Sequence, residues 1–187
     1  MSDTTVIDAM AERFTQIVSH LQKGEELTMA VEAEANFTKL LVMACGSFFE
    51  EQITGIVERF ATKHDARLGA FVQKKALHRQ YHTLFDWDQQ SNVNKFLALF
   101  GDGFKATANS KIKSMELGEC VRSFLLVGAT RNRLAHENMA SVSLSMTKND
   151  IMDHYRRAWK FVRFVESQFE QNSPQDSDSR FDTSDTG

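Results

Sequence analysis

The chain has 187 residues, 42% of them apolar and 25% charged, with a net charge of −3 and a pI of about 6.1. That length holds one domain or at most two small units, and the apolar share is enough for a core. The charge balance excludes a constitutive nucleic-acid coating protein, which is strongly basic, but not an enzyme that meets RNA through one local basic patch.

The two cysteines, Cys45 and Cys120, stand far apart in apolar runs and form no Cys-x-x-Cys pair. They read as buried thiols of a reducing compartment, not as zinc ligands. Met1 to Asp8 lacks the basic start and apolar block of a signal peptide, and no stretch reaches the roughly 18 uninterrupted apolar residues of a membrane span. A cytoplasmic protein is expected. The single proline, Pro174, leaves everything before it free to form long helices.

A first amphipathic helix is predicted from about Thr4 to Lys23, with Val6, Met10, Phe14, Ile17 and Leu21 at three- and four-residue steps and Gly24 as its stop. A long second helix, about Leu27 to His64, carries Phe37, Leu40, Leu41, Ala44 and Phe48 as a stripe that Ile53, Ile56, Val57 and Phe60 continue. Its middle, Leu40 to Phe49, is apolar nearly all round, as in a central core helix or an oligomer interface. Gly46 and Gly55 inside it mark close contacts or slight breaks. Residues 66 to 82 read as a third, basic helix bearing Arg67, Lys74, Lys75, His78, Arg79 and His82. His78 and His82 are four apart, but no third ligand candidate stands in spacing with them, so a metal site is not expected. The basic run reads first as a solvated helix face and second as an RNA-binding patch, whose affinity would fall steeply with salt.

The next segment is less regular. Its aromatics Phe85, Trp87, Phe96 and Phe100 suit a core better than a base-stacking platform, and Gly101 and Gly103 signal a turn. Residues 105 to 114 add Lys105, Lys111 and Lys113 among small polar residues. A fourth strong helix is predicted from near Ser114, through Cys120, Val121, Phe124, Leu125 and Val127, directly into Arg131-Asn132-Arg133-Leu134-Ala135-His136. Residues 141 to 146 alternate polar and apolar, which suits a short extended link or edge strand. Asn149 or Asp150 is the expected cap of a last helix running through Gln171, with Ile151, Tyr155, Trp159, Val162, Val165 and Phe169 as its stripe. Residues 173–187 are acidic and polar and are expected to be disordered. The expected fold is all-α: one helical bundle with long central helices over residues 1–172, followed by that tail.

The segment from Arg131 to His136 carries the chemistry. On a helix, Asn132 and His136 lie four apart on one face, and Arg131 is displaced by about a quarter turn with a side chain long enough to swing back. Arginine grips phosphate at two points, histidine exchanges a proton near neutral pH, and asparagine can orient either. RNA supplies its own nucleophile, the 2′-hydroxyl. An enzyme must take that proton, stabilise the added charge on phosphate and protonate the departing 5′-oxygen. No metal is required for this. One histidine is a thin set of groups for two proton transfers, and a symmetric dimer would bring two. The plainer reading is that Arg131, Arg133 and His136 complement the negative end of a helix while Asn132 or Asn138 caps it.

Arg-Asn-x-x-x-His at the end of an apolar helix of an all-α chain resembles the HEPN superfamily. The pairing of NFTKLLVMACGSFFEEQITGIV with ATRNRLAHE is similar to its ribonucleases related to the RiboL-PSP group, over roughly residues 30 to 170. The resemblance implies a helical bundle of four or more helices that dimerises. It also implies metal-independent cleavage of RNA, without a cofactor, in toxin–antitoxin or antiviral defence systems. It assigns catalytic roles to Arg131, Asn132 and His136, and a supporting role to a glutamate of the long helix, best matched by Glu50 with Glu51 as the alternative. From the residues alone, either glutamate also reads as an exposed polar position on a greasy helix. The implied partners are an RNA substrate, a second copy of the chain, and an antitoxin or regulatory protein. Toxins paired with a nucleotidyltransferase antitoxin carry a tyrosine two positions after the histidine; Asn138 stands there, which argues against that route. The rival reading is a non-catalytic HEPN-like module that binds RNA or protein.

Overall fold

The computed structural model describes residues 4–88 and 91–171, which form eight α-helices and one π-helical turn and contain no strand. The tail expected to be disordered lies outside the described residues. Helix α1 (Val6–Lys23) opens with a capping box: Thr5 Oγ1 accepts from the Asp8 amide, and the Asp8 carboxylate accepts from the Thr5 amide. Helix α2 (Leu27–His64) matches its expected bounds and is the central rod. It is the one described helix long and apolar enough to cross a membrane, yet Leu41, Val42, Cys45, Phe49, Ile53, Ile56 and Val57 are buried inside the bundle. The pattern that was apolar all round thus serves a core helix, packed by α1 and by the later helices α7 (Gly118–His136) and α8 (Lys148–Gln171).

The stripe expected for α1 is not its buried face: Ile7 and Ala11 are buried, while Val6 and Ile17 are exposed. Four further expectations are corrected, and one open alternative is decided. The basic helix over 66 to 82 is broken: α3 (Ala66–Val72) runs into a π turn at Gln73–Leu77, and the short α4 (Tyr81–Leu84) follows. Arg79 between them takes a left-handed φ of 56°, so helical hydrogen bonding cannot continue through it. After α5 (Asn94–Ala98), residues read as lysines among small polar groups form a helix of their own, α6 (Asp102–Ser114). Its weak amphipathicity hides it: Ala108 is its one buried position. The fourth strong helix therefore begins at Gly118, after a turn in which Glu116 adopts φ 55°. Residues 142–147 carry no regular secondary structure, so the edge strand is not formed and the segment is a link. Val142 is buried, and Leu144 and Met146 pack on the core, which satisfies the alternating pattern without pairing. The cap of α8 is Thr147, one turn before Asp150: Asp150 N donates to Thr147 Oγ1, and Thr147 N donates to the Asp150 carboxylate at 2.8 Å.

The core is strongly aromatic. Phe49 stacks on Tyr155 (5.4 Å), and Phe124 meets Phe49, Phe85 and Phe161 at 5.0–5.7 Å. The expected core role of Phe85 and Phe96 holds: both are almost fully buried and stack at 4.8 Å. Both cysteines are buried and unpaired, and burial pushes the Cys45 thiol up to about 12.

The Thr147–Asp150 box is testable by pH. Hydrogen bonds from the Thr147 amide and hydroxyl hold the exposed Asp150 carboxyl below its usual value of 3.8. Its stabilising contribution is therefore complete above the unfolded value and is lost as pH falls through the lowered one. Wild type should exceed Asp150→Asn in stability at neutral pH, with the gap closing below about pH 4. At neutral pH, Thr147→Ala should cost about 1 kcal/mol in urea unfolding.

Candidate active site

The site is built where α7 crosses α2. Glycine at position 46 of α2 makes the crossing close. A Cβ there would stand 2.6 Å from Arg131 Cγ and 2.8 Å from its Cβ, so the arginine's stem lies directly on the glycine. One turn further along α2, Glu50 takes the head of the same side chain: Arg131 Nη2 donates to Glu50 Oε2 at 2.9 Å. Gly46-x-x-x-Glu50 is thus a saddle, with an open floor for the methylenes and a carboxylate for the charge.

Arg131 Nη1 donates to Asn132 Oδ1 at 3.2 Å. Each Nη atom of a guanidinium carries two N–H groups, so one on each remains for a ligand. The Arg131 side chain is 24% exposed and that of Glu50 34%, so the pair sits at a shielded edge open to solvent on one side. Arg131 Nε is buried without a hydrogen-bond partner among the described residues.

His136 is the last residue of α7 and is exposed. Asn132, one turn earlier, lies about 40° away around the axis and about 6 Å along it. Glu50, Arg131 and Asn132 are joined by hydrogen bonds, and His136 continues the Asn132 face without bonding to them. The helix-end reading fares unevenly. Arg131 reaches across to α2 instead of covering the carbonyls of its own helix end. The C-cap position is Glu137, in extended conformation, whose amide returns to Arg133 O. Asn138 forms a turn beyond it, accepting from the Ala140 amide at 3.1 Å. Of the two candidate glutamates, Glu50 makes the contact and Glu51 is exposed.

One neighbour carries no local signal in the sequence. Tyr81 of α4 is 6% exposed; burial, and secondarily the charge of Glu50, drive its phenol well above the usual tyrosine range, against the opposing pull of Arg131. Its ring packs 5.6 Å from that of Trp87. Its segment is pinned to α7 by Trp87, whose indole N–H donates to His82 O at 2.8 Å and whose ring lies where a Gly128 Cβ would be, 2.0 Å from Cζ3. Gly128 is three residues before Arg131, so the same helix seats the tryptophan and the arginine.

The RiboL-PSP-HEPN family profile matches residues 8–171. The chain belongs to the RiboL-PSP-HEPN family. No curated protein and no solved structure matches it. In this HEPN chain the family match spans both halves of the site, α2 and α7. Among the described residues, no group of three or more His, Cys, Asp or Glu side chains is placed to hold a metal ion. His78 caps the π turn while His82 belongs to α4, so the two do not share a helix face.

The saddle makes opposite predictions for two glycines of one helix. Ala is intrinsically better than Gly mid-helix by about 1 kcal/mol. At Gly55 the nearest atom to a new Cβ is Arg59 Nη1, 3.1 Å away at the far end of an exposed, flexible side chain whose Nη2 pairs with Glu166. Gly55→Ala should therefore be neutral or stabilising. Gly46→Ala meets a pinned stem and should lose about 1–3 kcal/mol. Urea unfolding of both variants decides it; equal stability would mean that the helices do not cross this closely.

Proposed function

We propose that this HEPN protein is a metal-independent endoribonuclease acting as a homodimer, in a toxin–antitoxin or antiviral defence role in the cytoplasm. The observation that carries the reading is the Glu50–Arg131–Asn132 hydrogen-bonded line leading along one helix face to an exposed, unbonded His136. Glu50 and the Gly46 floor fix the guanidinium, so its free N–H groups are aimed before any substrate arrives. In the proposed reaction an imidazole removes the proton from a ribose 2′-hydroxyl. The resulting oxygen attacks the adjacent phosphorus, Arg131 stabilises the added charge on the phosphoryl oxygens, and the bond to the 5′-oxygen breaks as a second imidazole donates a proton. His136 from each of two subunits supplies the two imidazoles. Asn132 Nδ2 is free to steer His136 or a phosphoryl oxygen, because its Oδ1 is occupied by Arg131. The products carry a 2′,3′-cyclic phosphate and a 5′-hydroxyl.

Purified protein incubated with mixed RNA in EDTA should give those ends. His136→Ala should lower the rate about 10²- to 10⁴-fold. Arg131→Ala should lower it by about 10² or more, and Arg131→Lys, which keeps a charge for Glu50 but loses the two-point grip, should also be impaired. Circular dichroism confirms that each variant is folded. RNA retained without cleavage by wild type would make the chain a binding module instead.

A further inference from the structure

Residues 66–85 contain Arg67, Lys74, Lys75 and Arg79 with His78 and His82, and no acidic residue, although the chain as a whole is net −3. Arg67 is held by Asp65 at 3.1 Å. Lys74, Lys75, His78, Arg79 and His82 are exposed, and none is in an ion pair among the described residues. Their placement is fixed from beneath. Gly69 of α3 rests on Thr62, near the end of α2, where a Cβ would meet Oγ1 at 2.1 Å. Leu77, Tyr81, Leu84 and Phe85 are buried, and Trp87 is locked on Gly128. Helix α2 ends at His64, 14 residues beyond Glu50, which is about 21 Å of helix. Tyr81 packs 5.6 Å from Trp87, whose ring covers Gly128 three residues before Arg131. The segment therefore runs from the Thr62 end of α2 back toward the part of α7 that carries Arg131, with exposed cations between. Phe71, one turn from Lys74 and Lys75, is 62% exposed, an aromatic face left in solvent beside two ammonium groups. A π turn and the left-handed Arg79 interrupt the helix here, features that recur at functional sites.

We infer that Phe71, Lys74, Lys75 and Arg79 form a track for single-stranded RNA leading to the Glu50–Arg131 site. The cations neutralise successive phosphates and Phe71 stacks a base, the pairing of groups by which single strands are held without sequence preference. This rests on the ribonuclease reading for its substrate.

The test separates the two. A fluorescein-labelled oligouridylate of about 20 nucleotides is titrated at several salt concentrations against His136→Ala protein, in which turnover is suppressed. Adding Lys74→Gln, Lys75→Gln and Arg79→Gln should lower the slope of log K against log salt by about 2, since each single-strand phosphate contact contributes about 0.7. Adding Phe71→Ala instead should weaken binding about fivefold or more with the slope unchanged. Removing Arg156, Arg157 and Lys160 of α8, an equal loss of charge, should leave the slope as it was. No binding of the oligonucleotide, an unchanged slope in the first triple variant, or an equal drop in the α8 variant overturns the track. So does equal binding of a polyglutamate peptide, which would mark the surface as a site for an acidic protein. If wild type cleaves RNA and the slope does not move, the track falls and the ribonuclease stands. If the slope drops and wild type cuts nothing, the track stands and the ribonuclease falls.

Discussion

The contact on which the candidate site depends is the ion pair between Arg131 and Glu50, laid across Gly46. It joins the two helices that define the bundle's middle, and it is neither fully buried nor fully wet. Full exposure would reduce such a pair to about 0–1 kcal/mol, and deep burial would charge a large desolvation penalty against it. At the shielded edge the carboxylate is strong enough to hold the arginine while leaving N–H groups free. The stem pressed on Gly46 leaves Nε buried with no partner among the described residues.

The second constraint is the aromatic packing around α7. Phe124 sits among Phe49, Phe85 and Phe161, and Trp87 covers Gly128 one turn later. These contacts set the rotation of α7 about its axis, and that rotation decides which face reaches the saddle. Arg131 reaches α2 because Phe124 and Val127 are pulled into the core beside it. A bundle of aliphatic residues would allow more sliding; flat rings in edge-on and stacked contacts hold an orientation more tightly. Tyr81 and Trp87 extend the same packing to the basic segment, so the outer surface and the ion pair share one support.

The local charge pattern runs against the net charge. Four cations and no acid over 66–85 stand in a chain of −3, so a whole-molecule value says little about what this face meets. The break in the helix matters here. A continuous helix over 66–82 would distribute these side chains around its axis, whereas the π turn and the left-handed residue fold them back over a buried underside.

Much was legible in the residues themselves. The bounds of α2, the apolar stripe of α8 and the Arg131 to His136 motif are local patterns; the stripe read for α1 is not its buried face, since Ile7 and Ala11 are buried while Val6 and Ile17 are exposed, and the α8 cap is Thr147 rather than Asn149 or Asp150. Periodicity and cap chemistry act within a few residues, and a single sequence displays them. The helix of 102–114 escaped because a weakly amphipathic helix has little periodicity to show, and the interrupted basic helix because backbone breaks at non-glycine residues leave no compositional mark. Tertiary structure alone decided that Glu50, not Glu51, meets the arginine and that Gly46 is the floor beneath it. Adjacent residues on a helix differ by about 100° in direction, so the choice between two neighbouring glutamates depends on where a helix 81 positions away comes to rest. No property of either residue carries that information; the packing of the core does.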